Sequence, residues 1–242
     1  MPLHLLGISR SGDAARLLRH CPYGQAAVVR HPPRETIAEP DGSGIRWVVE
    51  GPLTAATLWP LAALFGPLEH ARLLAAIHGH MTILPARYGT LLPDEEAVQR
   101  FLSNRRENLL DDLDRLHGTA EIGLRIELPH GPLPAEPLAA GGSCHSDVSP
   151  VRYLAARRAR YQWHDQLDTQ ARLAAATCVR AVSGLYRSWQ RLSPEPLGIV
   201  RLAFLVERKL SEAFAERVEM FRTMKIGRRC RLVGPWPPYS FV

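Results

Sequence analysis

The chain has 242 residues, of which 46% are apolar and 22% charged, a balance that excludes wholesale disorder and leaves room for two domains with a core each. Its net charge of +6 comes from arginine spread along the whole length, with Lys209 and Lys225 the only lysines, so it is a compositional habit rather than a clustered basic patch. Cys21, Cys144, Cys178 and Cys230 form no CxxC pair, which argues against a zinc ribbon or redox motif.

The opening residues lack the basic start and cleavage site of a signal peptide. The longest apolar stretch, Leu53 to Leu68, is broken by Pro60 and Gly66 and falls short of the ~20 residues that span a bilayer. A soluble, cytoplasmic protein is expected.

In chain order, Leu3 to Ile8, Gln25 to Arg30 and Ile45 to Glu50 are short apolar or alternating runs between Pro/Gly-rich punctuation, and they read as strands of one sheet. From Ala62 to Ile77 the residues Leu64, Leu68, Ala71, Leu74 and Ala75 recur at helical spacing, with Gly79 as the stop. A strand, MTILPA, follows at Met81. Pro93, Asp94 and two further acids then suit the positive end of a helix that continues through Leu109, Leu113 and Leu116 to Gly118.

EIGLRIEL from Glu121 alternates as a half-buried strand, and Pro129 to Gly142 is the clearest loop. Ser149 to Leu192 reads as a helix too long for a small domain. It must bend near His164 or at Ser183-Gly184, or project as an arm. Within it Leu167, Ala171, Ala174, Cys178, Ala181 and Leu185 form an alanine-rich stripe that suits close helix packing better than a coiled coil.

Ile199 to Val206 is a central strand, Glu207 to Met224 a helix and Arg229 to Val233 a short strand. The expected class is α+β in two domains. Residues 1–117 form an N-terminal α+β domain. Residues 118–242 form a ferredoxin-like domain, modified by a missing or altered strand and by its long helix.

Two segments fit no routine structural role. The end of the chain, GPWPPYSFV, sets Pro235, Trp236, Pro237, Pro238, Tyr239 and Phe241 where a terminus is normally polar. Its prolines limit the entropy lost on docking, and its rings supply apolar surface. The tail is read either as a strap packed across the two domains, which is favoured, or as a partner contact. In LPARYGT, from Leu84, Arg87 is paired with Glu121 as an interdomain ion pair, with an acidic partner as the alternative, and Tyr88 is read as core.

Other constellations favour ordinary explanations. His78 and His80 form an HxH pair near His117, without further ligands at telling spacing, so no metal is expected. RRARYQWH from Arg157 interleaves bases with aromatics, yet a solvated helix face or protein interface explains it better than nucleic acid. GxSxG, HExxH, P-loop and GxGxxG motifs are absent from the sequence, so neither catalytic residues nor a cofactor is assigned.

Three segments together carry a family resemblance: HGHMTILPARYGTLLPDEEAV from His78, LHGTAEIGLRIEL from Leu116, and RLAFLVERKLSEAF from Arg201 with the terminal LVGPWPPYSFV. They resemble the gas vesicle protein GvpF/GvpL family, whose members carry an LP-R-(F/Y)-GT stretch, a related Gly/Glu strand, a (Y/F)LV strand and a terminal GPWPPYxF. The resemblance implies a non-catalytic accessory or minor structural protein of gas vesicles, with a C-terminal domain related to the ferredoxin-like fold. The implied partners are the small apolar wall protein GvpA and other gas vesicle proteins, with no nucleic acid, membrane or small-molecule substrate. The competing class is a cytosolic enzyme using an interdomain cleft.

Overall fold

The structure is a computed structural model that describes residues 2–20, 28–31, 34–37, 44–59, 66–134, 150–193, 197–222 and 229–242. Its elements in chain order are β1 (Leu3–Arg10), α1 (Ser11–His20), β2 (Val28–His31), β3 (Arg34–Ile37), β4 (Gly44–Glu50) and β5 (Leu53–Trp59), then α2 (Pro67–His80), β6 (Leu84–Pro85), β7 (Leu91–Leu92), α3 (Glu95–Asn104) and α4 (Arg106–Arg115). There follow β8 (Thr119–Glu127), α5 (Pro150–Ala181), β9 (Ser188–Arg191), β10 (Ile199–Glu207), α6 (Ser211–Arg222) and β11 (Arg229–Trp236). Cys21 and Cys144, residues 62–65 of the expected second helix and most of the loop read at Pro129 to Gly142 lie outside the described residues.

The chain divides into two compact units. Unit 1 holds Met1–Glu121, Leu205–Arg208 and Gly234–Val242, and unit 2 holds Ile122–Phe204 and Lys209–Val233. This division differs from the contiguous spans 1–117 and 118–242 expected from the sequence. The tail belongs with the N-terminal residues, because its hydrogen bonds go to Glu121 and Arg115.

Unit 1 is built on a sheet of order β4-β5-β1-β6, with β7 also pairing β1. β5 runs antiparallel to both β4 and β1. One face packs Leu3, Leu5, Ile8, Val48 and Leu53 against Val98 and Leu102 of α3 and Leu109 and Leu113 of α4. The other packs Leu6, Trp47 and Ala56 against Ala14 and Leu17 of α1 and Leu74 and Ile77 of α2. Leu5 and Ile8 share a face because the register slips between Leu5 and Gly7, which reverses the two-residue alternation for the rest of the strand.

At Gly7 a Cβ would stand 2.7 Å from both the Ile83 side chain and the Leu84 carbonyl oxygen. Gly7→Ala is therefore expected to lower stability by about 1–3 kcal/mol, read as a shift in the urea midpoint. An unchanged midpoint would mean that β6 can move away.

Several elements depart from the sequence reading. β5 is a strand in the middle of the sheet, and its Thr54, Ala55, Ala56 and Thr57 are all buried. Small and hydroxylic residues give little strand signal by themselves, and position between two partners decides the outcome. The helix read from Asp94 to Leu116 is two helices broken at Arg105, which holds φ −115 and ψ 15. Its start is as expected: the Asp94 carboxylate accepts from the Ala97 N–H at 2.8 Å.

In unit 2 the sheet order is β11-β8-β10-β9. Leu128 N–H donates to Gly198 O, and within unit 1 Arg208 N–H donates to Gly118 O, so β8 and β10 run antiparallel. The stretch from Ser149 to Leu192 is not one helix. α5 passes through His164 unbroken and ends at Ala181, a turn follows with Gly184 at φ +82, and β9 comes next. A left-handed φ suits glycine, which explains the stop.

Leu167, Ala171, Ala174 and Cys178 of the expected stripe are buried. Phe204 and Phe214, ring centroids 5.2 Å apart, fill the centre of this unit. Among the described residues no helix is long and apolar enough to cross a membrane.

Candidate functional site

β11 carries the chain through Trp236, and a single 3-10 turn, Tyr239–Phe241, ends it. The turn places Ser240 on Glu121, whose side chain is buried at the start of β8. One Glu121 carboxylate oxygen accepts the Ser240 backbone N–H at 2.7 Å and the other accepts the Ser240 hydroxyl at 2.7 Å. Burial raises the Glu121 carboxyl above its usual range, and the two Ser240 donors offset part of that rise. Arg115 donates to the Phe241 carbonyl at 2.7 Å, and the Phe241 side chain packs against the core formed with α3 and α4.

Pro237 and Pro238 are buried, while Trp236 and Tyr239 remain 43% and 39% exposed. The tail is thus docked on unit 1 by its prolines, Ser240 and Phe241, and it keeps two rings at the surface. Pro235 is exposed.

Arg87 and Glu121 do not pair. Both lie in unit 1, the Glu121 carboxylate is taken by Ser240, and Arg87 is exposed. The expected pair rests on the fit of a forked guanidinium to a carboxylate, whereas a buried carboxylate also binds neutral donors that arrive with good geometry. Arg87→Ala is accordingly expected to change stability by less than about 0.5 kcal/mol in urea unfolding. A loss of about 2 kcal/mol would restore a structural role for the guanidinium.

The LPARYGT segment is held from below by two histidines. His70 Nε2 lies 3.0 Å from the Ala86 carbonyl and must donate to it, so its Nδ1 is the acceptor for His4 Nε2, also at 3.0 Å. Burial lowers both pKa values, and for His4 the neighbouring His70 adds to the effect. Leu5 N–H to Thr90 O and Ala86 N–H to Leu6 O fasten the segment to β1. Tyr88 is not core: it is 45% exposed, with its ring against His4 and His70.

Sequence reading also missed Arg208. Its guanidinium donates to the Thr119 carbonyl at 3.3 Å, the Met81 carbonyl at 3.1 Å and the His78 ring, whose Nδ1 is 3.1 Å away. His78 is held neutral, its pKa lowered to about 4, first by burial and then by the facing guanidinium. It therefore serves this internal contact, and its HxH neighbour His80 is exposed. The only sequence signal was a base directly after an apolar strand.

In unit 2, a cavity of about 280 Å³ is lined by His164, Asp165, Asp168 and Arg191 among others. Asp168 already pairs with Arg172 at 2.7 Å. Cys178 is buried, and burial, helped by Cys230, pushes its thiol up to about 12, which makes it inert. Among the described residues no group of three or more His, Cys, Asp or Glu is arranged to hold a metal.

A family model described as gas vesicle synthesis protein GvpL/GvpF matches residues 23–242. Gas vesicle protein L of Streptomyces sp. (strain CB03234) is 30% identical over 179 residues, covering 71% of this chain and 66% of that protein, so the chain matches just under two thirds of its length. Gas vesicle protein F of the same strain is 27% identical over 192 residues, covering 72% of this chain and 76% of that one.

The crystal structure of GvpF from Anabaena sp. PCC7120 superposes with a TM-score of 0.65 at 18% identity, covering 99% of this chain and 95% of that one. GvpF from Microcystis aeruginosa gives 0.66 at 14% identity, covering 99% and 98%. At such identities the two structures speak for the fold: mixed α and β, with two antiparallel sheets and one long helix. By sequence, the chain belongs to the gas vesicle synthesis protein GvpL/GvpF family.

Proposed function

We propose that this protein is a non-enzymatic accessory or minor structural component of gas vesicles that binds the apolar wall protein GvpA and other gas vesicle proteins during assembly. The family match across residues 23–242 carries this reading. Wall subunits with β-rich apolar surface aggregate unless their edges are covered before assembly. A partner suited to cover them needs apolar side chains near an open strand. β11 is the end strand of its sheet, and within unit 1 Trp236 on it and Tyr239 beyond it are exposed.

We read unit 2 as a ferredoxin-like domain. The succession β8, α5, β9, β10, α6, β11 with sheet order β11-β8-β10-β9 supports this, and β9 fills the place of the strand thought missing.

The test is light scattering by purified GvpA with and without this protein, alongside direct titration of the two. Slower aggregation and saturable binding are expected, and neither occurring would end the proposal. Assaying washed intact vesicles for retained protein then separates a transient assembly factor from a component that stays.

A further inference from the structure

α5 is two different helices in one. From Leu167 onward it buries Leu167, Ala171, Ala174, Ala175 and Cys178, whereas from Val151 to Gln166 no residue is buried. That part is about 24 Å long at 1.5 Å per residue. A helix of this size is marginal in water unless packing supports it. It also leaves Val151, Leu154 and Tyr161 at 73%, 63% and 57% exposure, a concentration of apolar surface expected where something docks. Between Pro150 and His164 it holds Arg152, Arg157, Arg158 and Arg160 and no acid.

We infer that residues 151–164 are a docking helix for an acidic-walled apolar groove on another gas vesicle protein, an inference that rests on the functional reading above. At 100° per residue Arg152, Arg157 and Arg158 point to three sides of the helix. No single basic face exists to follow a phosphate backbone, and no single apolar face to enter a bilayer. The charges are instead interleaved with Val151, Tyr153, Leu154 and Tyr161. A groove that surrounds the helix could use all of them, with carboxylates on the guanidinium forks and a dry floor under the rings. Arg157 is already laid over Tyr161, with Nη2 3.1 Å from its hydroxyl, which limits the side-chain freedom lost on docking.

The test titrates the labelled full chain with purified GvpA and, one at a time, with other gas vesicle proteins. The wild type is compared with the R152E/R157E/R158E variant. At least one partner is expected to bind the wild type with affinity that falls as salt rises, and to lose at least tenfold with the variant. All three arginines are exposed, so the variant should melt within about 2 °C of wild type. Should it melt lower, R152Q/R157Q/R158Q, which keeps good helix formers, carries the same comparison.

If partners bind the wild type and lose less than tenfold, the inference is overturned while the functional reading stands. If none binds the wild type, both fall. A single-stranded oligonucleotide or vesicles of phosphatidylcholine and phosphatidylglycerol, bound through these arginines more tightly than any gas vesicle protein, would overturn the inference in favour of those classes.

Discussion

Ending the chain at Val233 is expected to lower unfolding stability by about 3–5 kcal/mol, the combined scale of two hydrogen bonds to a buried carboxylate and one partly buried phenyl ring. The truncation removes both Ser240 donors from Glu121 and takes Phe241 off the core that α3 and α4 share with the sheet. Glu121 lies at the start of β8, so its uncompensated carboxylate would weaken a strand and not merely a surface. Urea unfolding of the two chains measures the effect. An unchanged midpoint would show that the tail only rests on the surface.

Because truncation damages the fold, it cannot isolate a binding role for the tail. Trp236→Ala and Tyr239→Ala can, since both side chains are partly exposed and the hydrogen bonds that anchor the tail are made by Ser240 and Phe241. Each is expected to leave the melt nearly unchanged and to weaken GvpA binding by about 1–2 kcal/mol, the range for an interface aromatic. Unchanged binding in both would move the partner surface elsewhere.

The second large effect is expected at Arg208. Arg208→Met keeps the stem but removes the donors to Thr119 O, Met81 O and His78, at an expected cost of about 3 kcal/mol. The pH dependence gives an independent check. The folded His78 pKa lies near 4, below its ordinary 6.5, so its contribution is fully present above 6.5 and is lost as pH falls towards 4. The loss is on the order of 3 kcal/mol.

His78→Gln should flatten that portion of the stability profile. Arg208→Met should flatten only part of it, because burial is the larger cause and the guanidinium the smaller. A profile in Arg208→Met as flat as in His78→Gln would make the facing charge the main cause.

What could be read from the sequence was what neighbours along the chain impose. The alternation in β8, the apolar run of β10, the acidic helix start at Asp94 and the packing stripe of α5 are all local signals, and the structure carries each of them. The sequence also pointed to a tail too apolar to hang in water, and its motif order was distinctive enough to indicate the family later matched over residues 23–242.

Long-range encounters were decided only by tertiary structure. β5 is a strand because β4 and β1 flank it, although its alanines and threonines barely announce one. Ser240 meets Glu121 across 119 positions and Arg208 meets His78 across 130, and the fit of a guanidinium to a carboxylate had paired Glu121 with Arg87 instead. A side chain's type says what it can bond to. Which partner it meets depends on where the backbone brings the two together, and for a buried carboxylate two well-placed neutral donors served where a cation was expected.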